Sequence, residues 1–340
     1  MRTRVGIQLV SLVSLTFLLF ACDRYTVTDT FIPQPSPSIE ASRPPTAASP
    51  TLAPSAIVMT PSPPPPTRPS VALPLGEGRI IFAADPGGKY KLGIYEIDVD
   101  GLHALTKAGG KYVDYSPAWS PDGGQIAFAA HVGDGHDLGN IYLMNADGTG
   151  RQKLTDFQFG ADLPSWSPEG TQIVFQGSVL LGEGRRGVQT EIFVINVDGS
   201  GLTNLTNTTQ DEMDPDWSPD GQKIVFASGE GICVMDVDGG DREVIVPDND
   251  GRSNSAPSWS PDGRRIAFHS FGGDWQIYLV DPDGENLTRL TDLDLYGVSC
   301  PTWSPDGKKI AFQAGWVIYI LDIASGNLTK LVQGAGPNWH

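Results

Sequence analysis

Cysteine is scarce in this chain: 3 among 340 residues, at positions 22, 233 and 300. A framework of paired cysteines stapling a small secreted domain is excluded. Cys233 and Cys300 fall in different repeats, so a mutual bridge is not expected and both read as buried small hydrophobes. Basic charge is scarce too. Lys and Arg number 23 against 40 Asp and Glu, a formal net charge of −17. A surface this acidic repels phosphate backbones and anionic headgroups, which argues against nucleic-acid binding and electrostatic docking on a membrane. The 5 histidines are scattered, with no H-E-x-x-H, and no G-x-S-x-G nucleophile elbow occurs. Those absences speak against an enzyme, with no appended hydrolase domain to hold a nucleophile. His131 and His136, with Asp134 and Asp137, form the one compact cluster, and a lone loop of this kind reads as solvated. Long apolar runs are limited to residues 5–20, too short for a membrane-spanning helix.

That apolar run has a context. Arg2 and Arg4 precede it, and it ends in Leu19-Phe20-Ala21-Cys22, which resembles the bacterial lipobox. Residues 1–21 therefore read as a lipoprotein signal peptide, and Cys22 as the lipidated first residue of the mature chain. Removing Arg2 and Arg4 makes the formal charge −19. The implied location is a bacterial membrane, lipid-anchored and extracytoplasmic, with the membrane touched through the anchor alone.

Residues 22–75 change composition. The stretch from Arg24 to Leu75 holds 14 of the chain's 28 prolines and five charged residues. Such a segment lacks the apolar surface to offset ordering, and its prolines favour extended polyproline II. It reads as a tether of roughly 50 residues, spanning about 40 Å as coil and about 150 Å if extended.

From residue 76 onward the chain repeats. P-x-W-S-P-[D/E]-G recurs at 117–123, 164–170, 215–221, 257–263 and 301–307, and a sixth copy breaks off at Pro337-Asn338-Trp339-His340. Each of the five full copies is followed by an apolar run ending in Phe, then a run opening Ile-[Tyr/Phe/Cys], then a shorter fourth run, and one further such set begins at residue 80. β-Branched and aromatic residues between Gly, Asp and Pro are strand signals. Six sets of four strands, about 44 residues each, predict an all-β fold: a six-bladed β-propeller over 76–340. The first run of the array, residues 80–82, is a second strand, and its missing partner is 337–339 at the other end. The chain is thus expected to close three-plus-one, with the last strand completing the first blade. The six tryptophans, Trp119, Trp166, Trp217, Trp259, Trp303 and Trp339, are expected to pack between blades. The x-D-G sequences after each third strand read as hairpin turns rather than calcium loops.

The order P-x-W-S-P-D-G-x-x-I-A-F, then I-Y-x-M-x-x-D-G, then x-x-L-T resembles the WD40-like repeat known as PD40. That family includes TolB-type propellers, and the resemblance covers essentially all of 76–340. It implies six blades. An α/β domain precedes the propeller in TolB, and here a lipobox and proline-rich tether hold that place, so TolB's partners are not carried over. The same repeat also stands beside peptidase domains and in sugar-acid lyases, so fold alone does not decide function.

The regular turns join strands on one face of the ring. Loops from second to third strand, and from fourth strand to the next first strand, share the opposite face and vary in length and sequence, which is where binding is expected. The complete fourth-to-first loops carry ten carboxylates against Lys107, Lys111 and Arg252. Asp114, Asp162 and Asp214 each stand just before a first strand and are expected to converge at the channel mouth. Tyr115, Trp275 and Tyr296 supply aromatic surface there. The ligand-binding expectation is a cation, with calcium at the channel mouth as one form, or a basic peptide segment. Two functions follow: a non-catalytic, monomeric binding module for an envelope protein or peptide, or a carbohydrate-binding or carbohydrate-processing envelope protein using the same loops to hold a glycan.

Overall fold

The structure, a computed structural model, describes residues 78–88, 91–132, 138–181, 187–249 and 251–340. Cys22, the signal peptide and the tether lie outside these residues, as do His136, Asp134 and Asp137. Among the described residues there is no α-helix; 24 strands form six four-stranded antiparallel sheets.

The first blade contains β1 (Ile80–Ala84), β2 (Gly93–Asp98) and β3 (Gly101–Ala104). Blade 2 runs β4 (Tyr112–Trp119), β5 (Gln125–Val132), β6 (Asn140–Asn145) and β7 (Gln152–Lys153). Blade 3 runs β8 (Ala161–Trp166), β9 (Gln172–Leu180), β10 (Val188–Asn196) and β11 (Thr203–Asn204). Blade 4 follows with β12 (Glu212–Trp217), β13 (Lys223–Ser228), β14 (Gly231–Asp236) and β15 (Glu243–Pro247). Blade 5 has β16 (Ser253–Trp259), β17 (Ile266–Phe271), β18 (Trp275–Val280) and β19 (Thr288–Arg289). Blade 6 has β20 (Val298–Trp303), β21 (Lys309–Ala314), β22 (Val317–Asp322) and β23 (Leu328–Gln333).

The last strand, β24 (Ala335–Trp339), joins the first sheet in the order β24-β1-β2-β3. Its register sets Ile80 opposite Trp339, and Arg79 and His340 exchange backbone hydrogen bonds of 2.7 and 2.9 Å beyond it. The three-plus-one closure expected from the sequence is the closure observed.

The core is distributed over six seams rather than gathered in one interior. Each hydrophobic cluster holds one repeat tryptophan together with apolar residues of the neighbouring blade. Trp217 of blade 4 packs with Val174, Ile192 and Val194 of blade 3, and Trp339 packs with Ala311, Ile318 and Ile320 of blade 6. All six tryptophans are 6–8% exposed. The phenylalanines that end the second-strand runs, Phe82, Phe128, Phe175, Phe226, Phe268 and Phe312, are at most 1% exposed. Burying side chains of this size supplies roughly 1.5–3 kcal/mol each, which makes each seam a main source of stability.

The turn after each tryptophan follows from its residue types. Ser120 Oγ donates to Asp122 Oδ1 at 2.7 Å, the same carboxylate accepts Gly124 N–H, and Gly123 N–H closes on Ser120 O at 2.9 Å. Gly123 has φ +65°, a value that favours glycine over any residue with a Cβ. The Asp220, Asp262 and Asp306 turns repeat the serine bond at 2.6–2.7 Å. The x-D-G sequences are turns as well, with Asp98 Oδ1 accepting the N–H groups of Asp100 and Gly101.

Cys233 is buried with a free thiol, so it is not bridged to Cys300. Cys300 departs from expectation in being only partly buried.

Candidate functional site

The innermost strand of every blade carries the same distortion. The residue directly before the motif proline sits in left-handed backbone: Ser116 (φ 48°), Leu163 (51°), Asp214 (56°), Ala256 (48°), Cys300 (50°) and Gly336 (57°). The sheet register shifts at each of these points, between Tyr115 and Ala118 in β4 and between Met213 and Asp216 in β12, for example. A β-bulge bends its strand and re-aims the side chains around it. Six copies turn the strands so that a ring of prolines and the small or polar residues after them face the axis.

The result is a central cavity of about 350 Å³. Pro117, Pro164, Pro215, Pro257, Pro301 and Pro337 line it. So do the middle residues of the P-x-W motifs: Ala118, Ser165, Asp216, Ser258, Thr302 and Asn338. Leu92, Tyr115 and Trp316 stand at the loop-face end. No lysine or arginine is among the lining residues, while Asp214 and Asp216 both are.

The three aspartates grouped by the sequence divide here, and the motif proline explains why. Asp114 lies three residues before Pro117, Asp162 two before Pro164, and Asp214 one before Pro215. They are three different positions of the blade, and side-chain direction changes with each step along a strand. Asp114 is 2% exposed and bonded to Arg151 Nη1 at 2.8 Å. That guanidinium lies 3.9 Å over Tyr112, 4.5 Å over Tyr142 and 4.9 Å over Phe128. The Asp114 charge is thus spent inside blade 2, which removes it from the mouth.

Asp162 and Asp214 do meet. Gln176 of β9 links them: its Oε1 accepts the Asp214 N–H at 3.0 Å, and its side chain hydrogen-bonds Asp162. Asp214 Oδ2 in turn accepts Ala256 N–H at 3.0 Å, tying blade 4 to blade 5. Asp162 is only partly exposed and lies beside Gln176 and Asp214. That confinement raises its pKa to about 7; the Gln176 bond opposes the shift and the nearby Asp214 charge adds to it.

Asp216 is the residue that sequence reasoning missed. It accepts Ser165 Oγ–H at 2.7 Å and Trp259 N–H at 2.8 Å, so it reaches across two seams. Burial lifts its pKa to about 6 against the pull of these donors. One signal was available: Asp216 is the only charged residue among the six P-x-W middle positions.

The aromatic residues divide as well. Tyr115 is 8% exposed, lines the cavity and meets the His131 ring edge-on with centroids 6.1 Å apart. Trp275 packs instead on Phe271 and His269, at 4.8 and 5.3 Å, as part of the blade 5–blade 6 seam. Tyr296 stands free on the surface, 75% exposed. Among the described residues no three His, Cys, Asp or Glu side chains come together as a metal-binding group, so the calcium expectation finds no side-chain ligand set.

Comparison with known proteins accords with this geometry. The TolB β-propeller domain of the PD40 family matches residues 76–245, half of the chain. A protein named as an uncharacterized peptidase, YuxL, of Bacillus subtilis is 27% identical over 40% of this chain, which spans about a quarter (24%) of that relative's length. Among solved structures, TolB from Acinetobacter baumannii aligns with a TM-score of 0.61 at 23% identity, covering 77% of this chain and 66% of that one. An oligogalacturonate lyase from Vibrio parahaemolyticus aligns at 0.53 and 15% identity, covering 74% of each chain. At these identities the likeness to the solved structures is one of fold.

Proposed function

The chain belongs to the PD40 family, as a TolB-type β-propeller, and from that premise we propose that it is an extracytoplasmic binding module, lipid-anchored through Cys22 to a bacterial membrane. In this reading it takes a basic peptide segment of an envelope protein inside its central channel. The carrying observation is the cavity lining: Asp214 and Asp216, backed by Asp162, with no cationic side chain among the lining residues. A confined carboxylate set of this kind favours a lysine or arginine side chain, whose charge also restores the ionised state of Asp162 and Asp216. Peptide is favoured over a metal ion because no three-carboxylate cluster forms among the described residues.

Catalysis is not part of this proposal. The chain covers about a quarter of its peptidase relative, and its sequence holds no G-x-S-x-G. The likeness to an oligogalacturonate lyase supports a second reading, glycan binding, with Tyr115 and Trp316 at the mouth as stacking surfaces.

Titration calorimetry with a lysine-rich peptide tests the first reading. Binding is expected for the native propeller and reduced binding for Asp216→Asn and Asp162→Asn; equal heats in all three would overturn it. A glycan array carried out beside it decides the second. The anchor has its own test, metabolic labelling with a fatty-acid analogue followed by non-reducing intact mass. Label that is lost in Cys22→Ala supports the anchor, whereas a mature chain that carries no label removes it.

A further inference from the structure

A second acidic cluster lies outside the channel, at the blade 3–blade 4 seam. Glu191 of β10 is 2% exposed and Glu212, the first residue of β12, is 0% exposed. The two carboxyl groups are neighbours: the Thr208 backbone N–H reaches Glu191 Oε2 at 3.3 Å and its hydroxyl reaches Glu212 Oε1 at 2.5 Å. The connection from β11 to β12, residues 205–211, passes over the pair, and three of its hydrogen bonds end there.

Counting donors locates a proton. Glu191 accepts on both oxygens: Gln189 Nε2–H at 2.7 Å on Oε1, and Thr206 Oγ1–H at 2.6 Å with Thr208 N–H at 3.3 Å on Oε2. Glu212 Oε1 accepts Thr208 Oγ1–H at 2.5 Å and stands 3.5 Å from Arg242 Nη1. Glu212 Oε2 is buried and receives no donor. Two oxygens without a hydrogen between them repel, and an unsatisfied buried carboxylate oxygen is costly. A proton on Glu212 Oε2, donated to Glu191, resolves both problems at once.

The surrounding charges do not substitute for that proton. From the segment before β15 comes Arg242, whose Nη2 is bonded to Glu230 Oε2 at 2.9 Å and whose charge is therefore shared. The β13–β14 turn contributes Glu230 itself, and β14 contributes Cys233, whose sulfur lies 3.8 Å from Arg242 Nη2. Asp211 of the connecting loop points away, accepting Thr190 N–H at 2.9 Å. Asp214, two residues along β12, faces the channel.

We propose that the 205–211 loop on the channel-mouth face is latched by a single proton shared between Glu191 and Glu212, and that loss of this proton to solvent releases the loop. When the Glu212 O–H bond breaks, two carboxylates stand together, and the one guanidinium beside Glu212, that of Arg242, is shared with Glu230. The contacts that this repulsion loads are those that hold the loop: the Thr206 and Thr208 bonds to Glu191, the Thr208 bond to Glu212, and the Gln189 bonds to Thr208 O and Gln210 O, each 2.8 Å. Gln189 is oriented by Glu191 Oε1, so it moves with the pair. The latch makes the shape of the candidate binding face depend on pH near neutrality, whatever the channel binds.

Carboxyl ¹³C NMR of glutamate-labelled protein tests this directly. Glu212 is expected to titrate near 7, well above the roughly 4.3 of a free glutamate. An ordinary midpoint for Glu212 would overturn the proposal. Amide hydrogen exchange supplies the conformational readout. Thr208 and Gln210 should lose protection, beyond the intrinsic pH effect, as pH crosses that midpoint. In Glu212→Gln, whose amide donates to Glu191 at every pH, protection should stay constant. The same pH-dependent loss in Glu212→Gln would sink the latch, and if that variant does not fold, the wild-type titration alone decides.

Discussion

The Asp216 carboxylate accepts the backbone N–H of Trp259 at 2.8 Å, so a side chain of blade 4 fixes the start of the tryptophan turn of blade 5. Asn338 does the same for Trp119 at 2.9 Å, and the Ser165 hydroxyl oxygen accepts Trp217 N–H at 3.4 Å. At Ser165, Asp216 and Asn338 the middle residue of P-x-W is therefore both an axial lining position and a cross-blade acceptor. Asp216→Ala should leave Trp259 N–H buried without its partner and cost about 1–3 kcal/mol. Asp216→Asn keeps an acceptor in place and should cost less than Ala. Urea denaturation at pH 6 ranks the two, and an Ala variant as stable as wild type would refute the role.

Closure gives a sharper outcome. β24 supplies Trp339 to the blade 6–blade 1 seam and pairs along β1. Deleting residues 335–340 removes a seam tryptophan and leaves the edge of β1 uncovered at the channel. The expected result is loss of a single cooperative melt by calorimetry rather than a small shift. For comparison, Trp217→Ala should cost about 3–5 kcal/mol while retaining cooperativity. A truncated protein melting with the wild-type profile would show that the ring does not depend on its last strand.

These strands could be read from the sequence because the information is local and repeated: the serine–aspartate turn, the Phe-ended second strand and the x-D-G turn each recur at fixed offsets. The candidate site was less legible for a specific reason. Asp114, Asp162 and Asp214 look equivalent in sequence, but a left-handed residue before each motif proline breaks the alternation of faces, so a one-residue offset moves a carboxylate from the channel surroundings to a stacked arginine. Asp216 was concealed inside a motif whose other residues are structural. The pairing of Glu191 with Glu212 joins two strands across a loop, and no spacing rule brings such residues together.

The Asp114–Arg151 pair offers a test of that offset. Asp114 is 2% exposed and the guanidinium is stacked on three aromatic rings. Arg151→Ala should strand a buried carboxylate and cost about 3–5 kcal/mol. Pairing Arg151→Met with Asp114→Asn removes both charges while keeping most of the volume, and should recover the larger part of that loss. A double-mutant cycle by urea denaturation checks it: purely additive effects would mean that the two residues do not act as a pair.

Stability should decline as pH rises toward neutrality, the reverse of ordinary acid denaturation. Burial raises Asp162 and Glu212 to about 7 and Asp216 to about 6. In the unfolded chain these carboxyls ionise near 3.9–4.3. Between roughly pH 4 and 7 the folded state therefore binds more protons than the unfolded one, and each group lowers stability by at most about 1.4 kcal/mol per pH unit in that window. The decline should flatten above about pH 8, where all three groups are ionised in both states. The turn aspartates act in the opposite sense. Asp122, Asp220, Asp262 and Asp306 are held below their usual range by the serine hydroxyls first and by backbone N–H bonds second. Their contribution is present above the unfolded pKa and fades as pH falls through the folded values, so acid also destabilises. Melting temperature followed from pH 3 to 9 should pass through a maximum on the acidic side of neutrality. Asp162→Asn should shallow the neutral limb without altering the acid limb. A wild-type profile that keeps rising to pH 8 would show that these carboxyls are ionised in the folded ring.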